Sequence, residues 1–323
     1  MQPARRVFLL GATGTIGRAT AQALAAKGHE LVCFVRPGSR LQASDLPFGT
    51  TLRRGEVTPE SLAREGFRGE RFDALVSCMA SRTGAPHDAW AVDHQAHLHA
   101  LQAAQAAGVQ HMVLLSAICV QKPLLAFQQA KLAFEKALVE SGLQYSIVRP
   151  TAFFKSLSGQ VARVQAGKPY LLFGDGRLTA CKPISDADLA DYIAGCLHEP
   201  GRLNRVLPIG GPGPALTPRE MGERLFALLG REPRFKPVPL GLMDGIVGAL
   251  SLLGRVSARL ADKAELARIG RYYATESMLV WDAAAGRYDA NATPEWGRDT
   301  LFDYQAQLIR GEATLDRGEH AVF

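Results

Sequence analysis

The hydrophobic positions of this chain fall into short runs separated by segments of helical period. Residues 7–10 form the first run, and a helix pattern follows at once, with Ile16, Ala19, Thr20, Ala23 and Leu24 on one face and a stop at Gly28. Residues 31–35 form a second run. After a turn-rich stretch come a short strand over 52–57, a buried run over 72–78, and a long Ala- and His-rich helix over 88–107 ended by Gly108. A buried run over 112–116, a helix over 124–140 ended by Gly142, and a run over 145–149 complete the pattern before Pro150. Short apolar runs alternating with helices predict an α/β fold, a Rossmann-type doubly wound parallel sheet covered on both faces.

Beyond Pro150 the rhythm changes. Residues 170–173 and 178–184 flank Gly174-Asp175-Gly176 and predict a hairpin. Ser185 opens a helix toward Glu199, and residues 206–209 predict one more strand. Thr217-Pro218-Arg219-Glu220 supplies an N-cap, a proline at the first helical position and the returning Glu of a capping box. The expected organisation is a nucleotide-binding domain over 1–150 and a smaller C-terminal α+β substrate region over 151–323, laid across the open end of the sheet.

Between the first run and the first helix stands Gly11-Ala12-Thr13-Gly14-Thr15-Ile16-Gly17. Strand, glycine turn, helix, strand is the unit that seats a dinucleotide pyrophosphate on a helix N-terminus, where free N–H groups and the helix dipole favour negative charge. Enzymes that prefer NAD carry an acid near the end of the second strand to hold the ribose 2′-hydroxyl. Here that place holds Arg36, followed by Ser39 and Arg40, with no acid before Asp45. A guanidinium pairs with a 2′-phosphate, so the expected cofactor is NADPH. The competing reading leaves Arg36 solvated at a strand end.

Composition narrows the partners. The 323 residues are 47% hydrophobic with a net charge of +6, and the cations are dispersed, so a small anionic molecule is expected and nucleic acid is not. The five cysteines form no C-x-x-C pair, which argues against disulfides, a zinc ribbon or a clustered iron–sulfur site and for buried thiols in a reducing, cytoplasmic setting. No leader is expected before the first strand, which begins almost at once. The apolar stretch over 240–254 is interrupted by Asp244 and too short to span a bilayer. His87, His94, His97, His99 and His111 lack a metal-ligand pattern, so no metal is expected, and they predict a solvated or cofactor-facing stripe. Oligomeric state is not legible.

The glycine turn, the buried strand ending at Ser116 and the helix bearing Lys131 resemble the short-chain dehydrogenase/reductase superfamily, which pairs a Tyr with a Lys four residues later. In Phe127-Gln128-Gln129-Ala130-Lys131 the Tyr place holds Phe127, which has no proton to give, so ordinary carbonyl reduction loses its acid. By the resemblance Lys131 is the remaining catalytic residue and holds the nicotinamide ribose. The alternative pairs it with Glu135 as a snorkelling side chain. Residues 77–81 stand where the fourth strand passes the cofactor, and Ser116 and Pro150 close the cofactor set.

Further motifs are more specific. Residues 204–213, 229–233, 269–278 and 297–301, with residues 120–125 and Phe127-Gln128 in the first half, are similar to the divinyl chlorophyllide 8-vinyl reductases over nearly the whole chain. That resemblance implies NADPH-dependent reduction of the 8-vinyl group of a divinyl chlorophyllide or close precursor, in chlorophyll or bacteriochlorophyll biosynthesis. Hydride addition to a vinyl group spreads charge into the macrocycle and forms no alkoxide for a Tyr to protonate, so the site is expected to act by positioning and water exclusion. Phe127, Phe153, Phe154, Leu242, Met243, Ile246 and Val247 are the expected apolar lining, and Arg268 or Arg271, near Tyr272 and Tyr273, the partner of a propionate. Residues 240–260 are expected either as core or resting on a photosynthetic membrane surface with Arg255 and Arg259 toward headgroups. Two other readings stay open: an NADP(H)-sensing regulator without catalysis, and a quinone or phenylpropanoid reductase of the same fold.

Overall fold

The computed structural model describes residues 3–254 and 257–315; Arg255 and the side chain of Arg259 lie outside what it describes. Nine strands organise the part that positions the site: β1 (Arg6–Leu10), β2 (Glu30–Val35), β3 (Thr51–Arg54), β4 (Ala74–Ser77), β5 (His111–Leu115), β6 (Gln144–Pro150), β7 (Tyr170–Phe173), β8 (Arg205–Ile209) and β9 (Phe235–Val238). Seven of them form one parallel sheet in the order β3-β2-β1-β4-β5-β6-β8, with the order reversing between β1 and β4. That reversal opens the crevice in which such sheets bind ligands.

The continuous apolar run of β1 has a simple cause: both of its faces are covered. Val7 and Leu9 pack with Ile16, Ala21 and Leu24 of the first helix (Thr15–Ala26) and with Leu189 and Ile193 of the helix Asp186–Gly195. Phe8 and Leu10 face the opposite side among Phe34, Phe67, Leu101 and Phe134. Burying a side chain such as Phe8 stabilises by roughly 2–3 kcal/mol. Strand β8 and the helix Asp186–Gly195 follow Pro150 in sequence, yet both are built into this nucleotide-binding layer.

Two expected elements differ. Residues 170–173 and 178–184 form no hairpin: β7 pairs in parallel with β9, and the later segment makes isolated bridges from Cys181 to Leu216 and Met278 and from Ile184 to Phe153. Pro183 lacks an N–H for a ladder, and the left-handed Gly174 and Gly176 (φ 58° and 76°) turn the chain away from β7. The His-rich helix runs from Pro86 to Ala106, but its middle, Trp90–Ala96, widens into a π turn. Such turns occur frequently at functional sites.

The capping box at Thr217 forms as expected, with Glu220 accepting from the Thr217 N–H at 2.8 Å. The apolar helix Leu240–Leu253 packs against the helix Ala258–Thr275, and none of its side chains is fully buried. It is not core. Among the described residues no helix is long and apolar enough to cross a membrane.

Candidate functional site

Gly11 has φ +84°, and a Cβ there would lie 2.5 Å from the Cys78 carbonyl carbon, so the end of β4 presses directly on the turn. At Gly17 a Cβ would lie 2.0 Å from the Gly11 carbonyl oxygen, because the first helical turn sits on the glycine turn itself. Gly14 is different: its nearest protein atom would be 3.6 Å away. Two glycines are demanded by the fold, and the third leaves space on the crest where a pyrophosphate approaches. Gly14 caps the helix without a side-chain bond, and the first turn carries no acid. Thr13 is exposed beside it, Thr15 half-buried and Ile16 buried. These residues fit a dinucleotide.

Arg36 and Arg40 are exposed at the end of β2, and Ser39 donates its N–H to the Arg36 carbonyl at 3.0 Å. Arg54 of β3, not anticipated from sequence, clamps this loop by donating to the carbonyls of Ser39 at 2.8 Å and Leu41 at 2.5 Å. The cationic loop is therefore held at the end of β2. Arg36→Ala is expected to weaken NADPH binding about tenfold while leaving NADH nearly unchanged, as measured by titration calorimetry; the loss of one charge-assisted contact sets that scale.

Lys131 is nine-tenths buried, and its ammonium donates to Asp93 Oδ1 at 2.9 Å, with the Asp93 side chain fully buried. The same oxygen accepts the Ser81 N–H at 3.2 Å, so one carboxylate from the π turn fastens both the lysine and the segment leaving β4. The expected alternative partner, Glu135, is committed elsewhere: it pairs with Arg149 and accepts the Ser116 hydroxyl. Ser116 thus has its proton engaged and offers a ligand only lone pairs.

The histidines do not share one environment: His87 is exposed, His94 and His99 are half-buried, and His97 and His111 are buried. His97 is buried, with Nδ1 2.8 Å from the Val92 carbonyl and Nε2 2.9 Å from Ser77 Oγ, a pattern that assigns a neutral ring donating from Nδ1. Burial foremost, and then the Lys131 ammonium, lower its pKa to about 4. The unfolded ring takes a proton near pH 6.5 and the folded ring does not, so stability is full above that pH and declines as pH falls toward 4. His97 alone should account for about 2 kcal/mol between pH 6.5 and 5, measured as a smaller drop in urea stability over that range for His97→Asn than for the wild type. The described residues contain no group of three or more side chains placed to hold a metal ion.

Lys131 opens into a cleft of about 1320 Å³ whose walls are mainly apolar. Phe127, Phe153, Pro150, Ser116, Met243 and Ile246 all line it, which brings part of the anticipated site to one place. Several anticipated residues lie elsewhere. Phe154 is buried beneath the wall against Tyr304 at 5.9 Å, and Leu242 is exposed outside the cleft. Tyr272 is buried and donates its hydroxyl to the Cys119 carbonyl at 2.9 Å; the neighbouring Tyr273 takes the place in the wall. Arg271 pairs with Asp244, and Arg268 with Glu265 and Ser251, tying the two last-named helices together. The cations lining the cleft are instead Arg82, Lys131, Arg163 and Lys263. Sequence reasoning missed Asp93, Arg54 and Lys155, since no spacing links a residue to a partner on another element. Lys155, on the short helix Phe154–Leu157, donates to Thr15 Oγ1 at the start of the first helix.

A Rossmann sheet with this glycine turn, and a buried lysine facing an apolar cleft, defines an NAD(P)H-binding protein of the short-chain dehydrogenase/reductase type. The family model described as NAD(P)H-binding matches residues 11–200. The chloroplastic divinyl chlorophyllide a 8-vinyl-reductase of Cucumis sativus is 48% identical over 332 residues, covering 98% of this chain and 79% of that protein. The chain belongs to the divinyl chlorophyllide a 8-vinyl reductase family. Its fold is shared with the structure titled AtPrR2 with NADP+ and (+)pinoresinol, at TM-score 0.70 and 18% identity over 95% of this chain and 99% of that one. It is shared also with the NADPH-dependent quinone oxidoreductase QOR2 of Escherichia coli complexed with NADPH, at TM-score 0.67 and 19% identity over 94% of this chain and 99% of that one.

Proposed function

We propose that this protein reduces the 8-vinyl group of a divinyl chlorophyllide, or a close precursor, to an ethyl group with NADPH as the electron source. The observation that carries the reading is the cleft: large, apolar, open to Lys131, and walled by Phe127 where a phenol would serve carbonyl chemistry. NADPH when bound supplies the hydride, and water or a side chain must supply the proton that completes addition across the double bond. The chain's own residues hold the ribose through Lys131, seat the macrocycle on Phe127, Phe153 and Met243, and keep water from the reacting carbon. A propionate would find its counter-charge at Arg163 or Lys263 rather than at Arg271, whose guanidinium is spent on Asp244. The exposed Leu242, Leu252 and Leu253 on the helix Leu240–Leu253 support peripheral contact with a membrane that holds such pigments.

The test is direct: purified protein, NADPH and divinyl chlorophyllide under anaerobic, detergent-supported conditions, with the pigment followed by absorbance and chromatography. Ethyl product formed in step with NADPH oxidation supports the reading. Tight NADPH binding without any ethyl product would instead favour a cofactor-sensing regulator.

A further inference from the structure

Lys155 presents its ammonium to the wrong end of a helix. It donates to Thr15 Oγ1 in the first turn of Thr15–Ala26, where the helix dipole and unpaired N–H groups are already positive. Nothing local offsets this. Gly14 brings no side-chain cap, the first turn has no acid, and among the described residues no carboxylate lies within ion-pair reach of Lys155. Two positive groups held together across a crevice are stabilised by an anion between them.

We infer that Lys155 is a cofactor-binding residue that contacts the pyrophosphate and fastens the second half of the chain onto the nucleotide. The inference rests on the dinucleotide occupying the glycine turn, where Gly14 alone leaves room for it. It also assigns a consequence to the position of Lys155. The lysine sits between Phe153 on one side and Ser156 and Leu157 on the other, all of which line the cleft. A pyrophosphate held there therefore ties the cleft wall that carries Phe153 and Leu157 to the glycine turn through one side chain.

A pyrophosphate contact and a 2′-phosphate contact differ in their signature. Lys155→Gln should weaken NADP+ and NAD+ binding together, by roughly tenfold or more, leaving the ratio of the two unchanged; Lys155→Arg should restore most of the affinity. Titration calorimetry without pigment reads both, and the melting temperature of the cofactor-free variants checks folding. In the wild type, NADP+ should also slow amide hydrogen exchange over residues 153–157, an effect absent from Lys155→Gln. Wild-type affinity of Lys155→Gln for both dinucleotides would overturn the assignment, as would a loss confined to NADP+. Failure of the wild type to bind either dinucleotide would instead remove the reading on which it rests.

Discussion

Lys131→Met should cost about 3–5 kcal/mol of folding stability and at least a hundredfold in turnover. The lysine and Asp93 form a buried pair, and removing one member leaves the other charged and without its counter-ion in a poorly solvated place. Asp93 has one oxygen, Oδ2, with no hydrogen-bond partner, so the surviving carboxylate would have little else to lean on. Asp93→Asn should be comparably damaging, because it strands the ammonium. The double variant, with both charges gone, should recover most of the stability measured by urea unfolding while remaining inactive. That separation matters, since it tells a ribose-holding lysine from a merely structural one. A double variant that regained both stability and turnover would show that the pair serves the fold alone.

The glycine turn yields the second large contrast. Gly17→Ala forces a methyl to within 2.0 Å of the Gly11 carbonyl oxygen, backbone that has no free rotamer to yield, and should destabilise by about 3 kcal/mol with loss of cofactor binding. Gly14→Ala meets nothing closer than 3.6 Å and should fold with a nearly unchanged melting temperature. Its methyl would occupy the place of the pyrophosphate, so NADPH affinity should fall at least tenfold. Circular dichroism melts and calorimetric titration of the two variants check this. Equal thermal stability for both would mean that the turn relaxes more easily than its packing against β4 allows.

Much of the nucleotide-binding half is legible in sequence because its signals are local. The unbroken apolar run of β1 follows from burial on two faces, the glycine turn from a strand that must reverse into a helix, and the Thr217 capping box from adjacent residues. Phe127 and Lys131 are four residues apart on the helix Ala126–Glu140, so periodicity alone places them on one face. The reading failed where the partner lies far along the chain. The expected hairpin around Gly174–Gly176 dissolved because β7 found β9, more than sixty residues on, as its neighbour. Glu135 looked like the partner of Lys131 by helical spacing, but Arg149 from β6 and the Ser116 hydroxyl claimed it.

By itself the sequence determined six of the seven strands of the sheet, the glycine turn, the missing phenol and the family, since each is written in contiguous residues or fixed spacings. Only the tertiary structure decided that Asp93 holds Lys131, that Tyr273 rather than Tyr272 walls the cleft, that Arg271 is spent on Asp244, and that Lys155 reaches back to Thr15. The physical reason is common to all four. A charge or a hydroxyl takes whichever partner the packed elements bring within hydrogen-bond reach, and that distance is set by the fold as a whole.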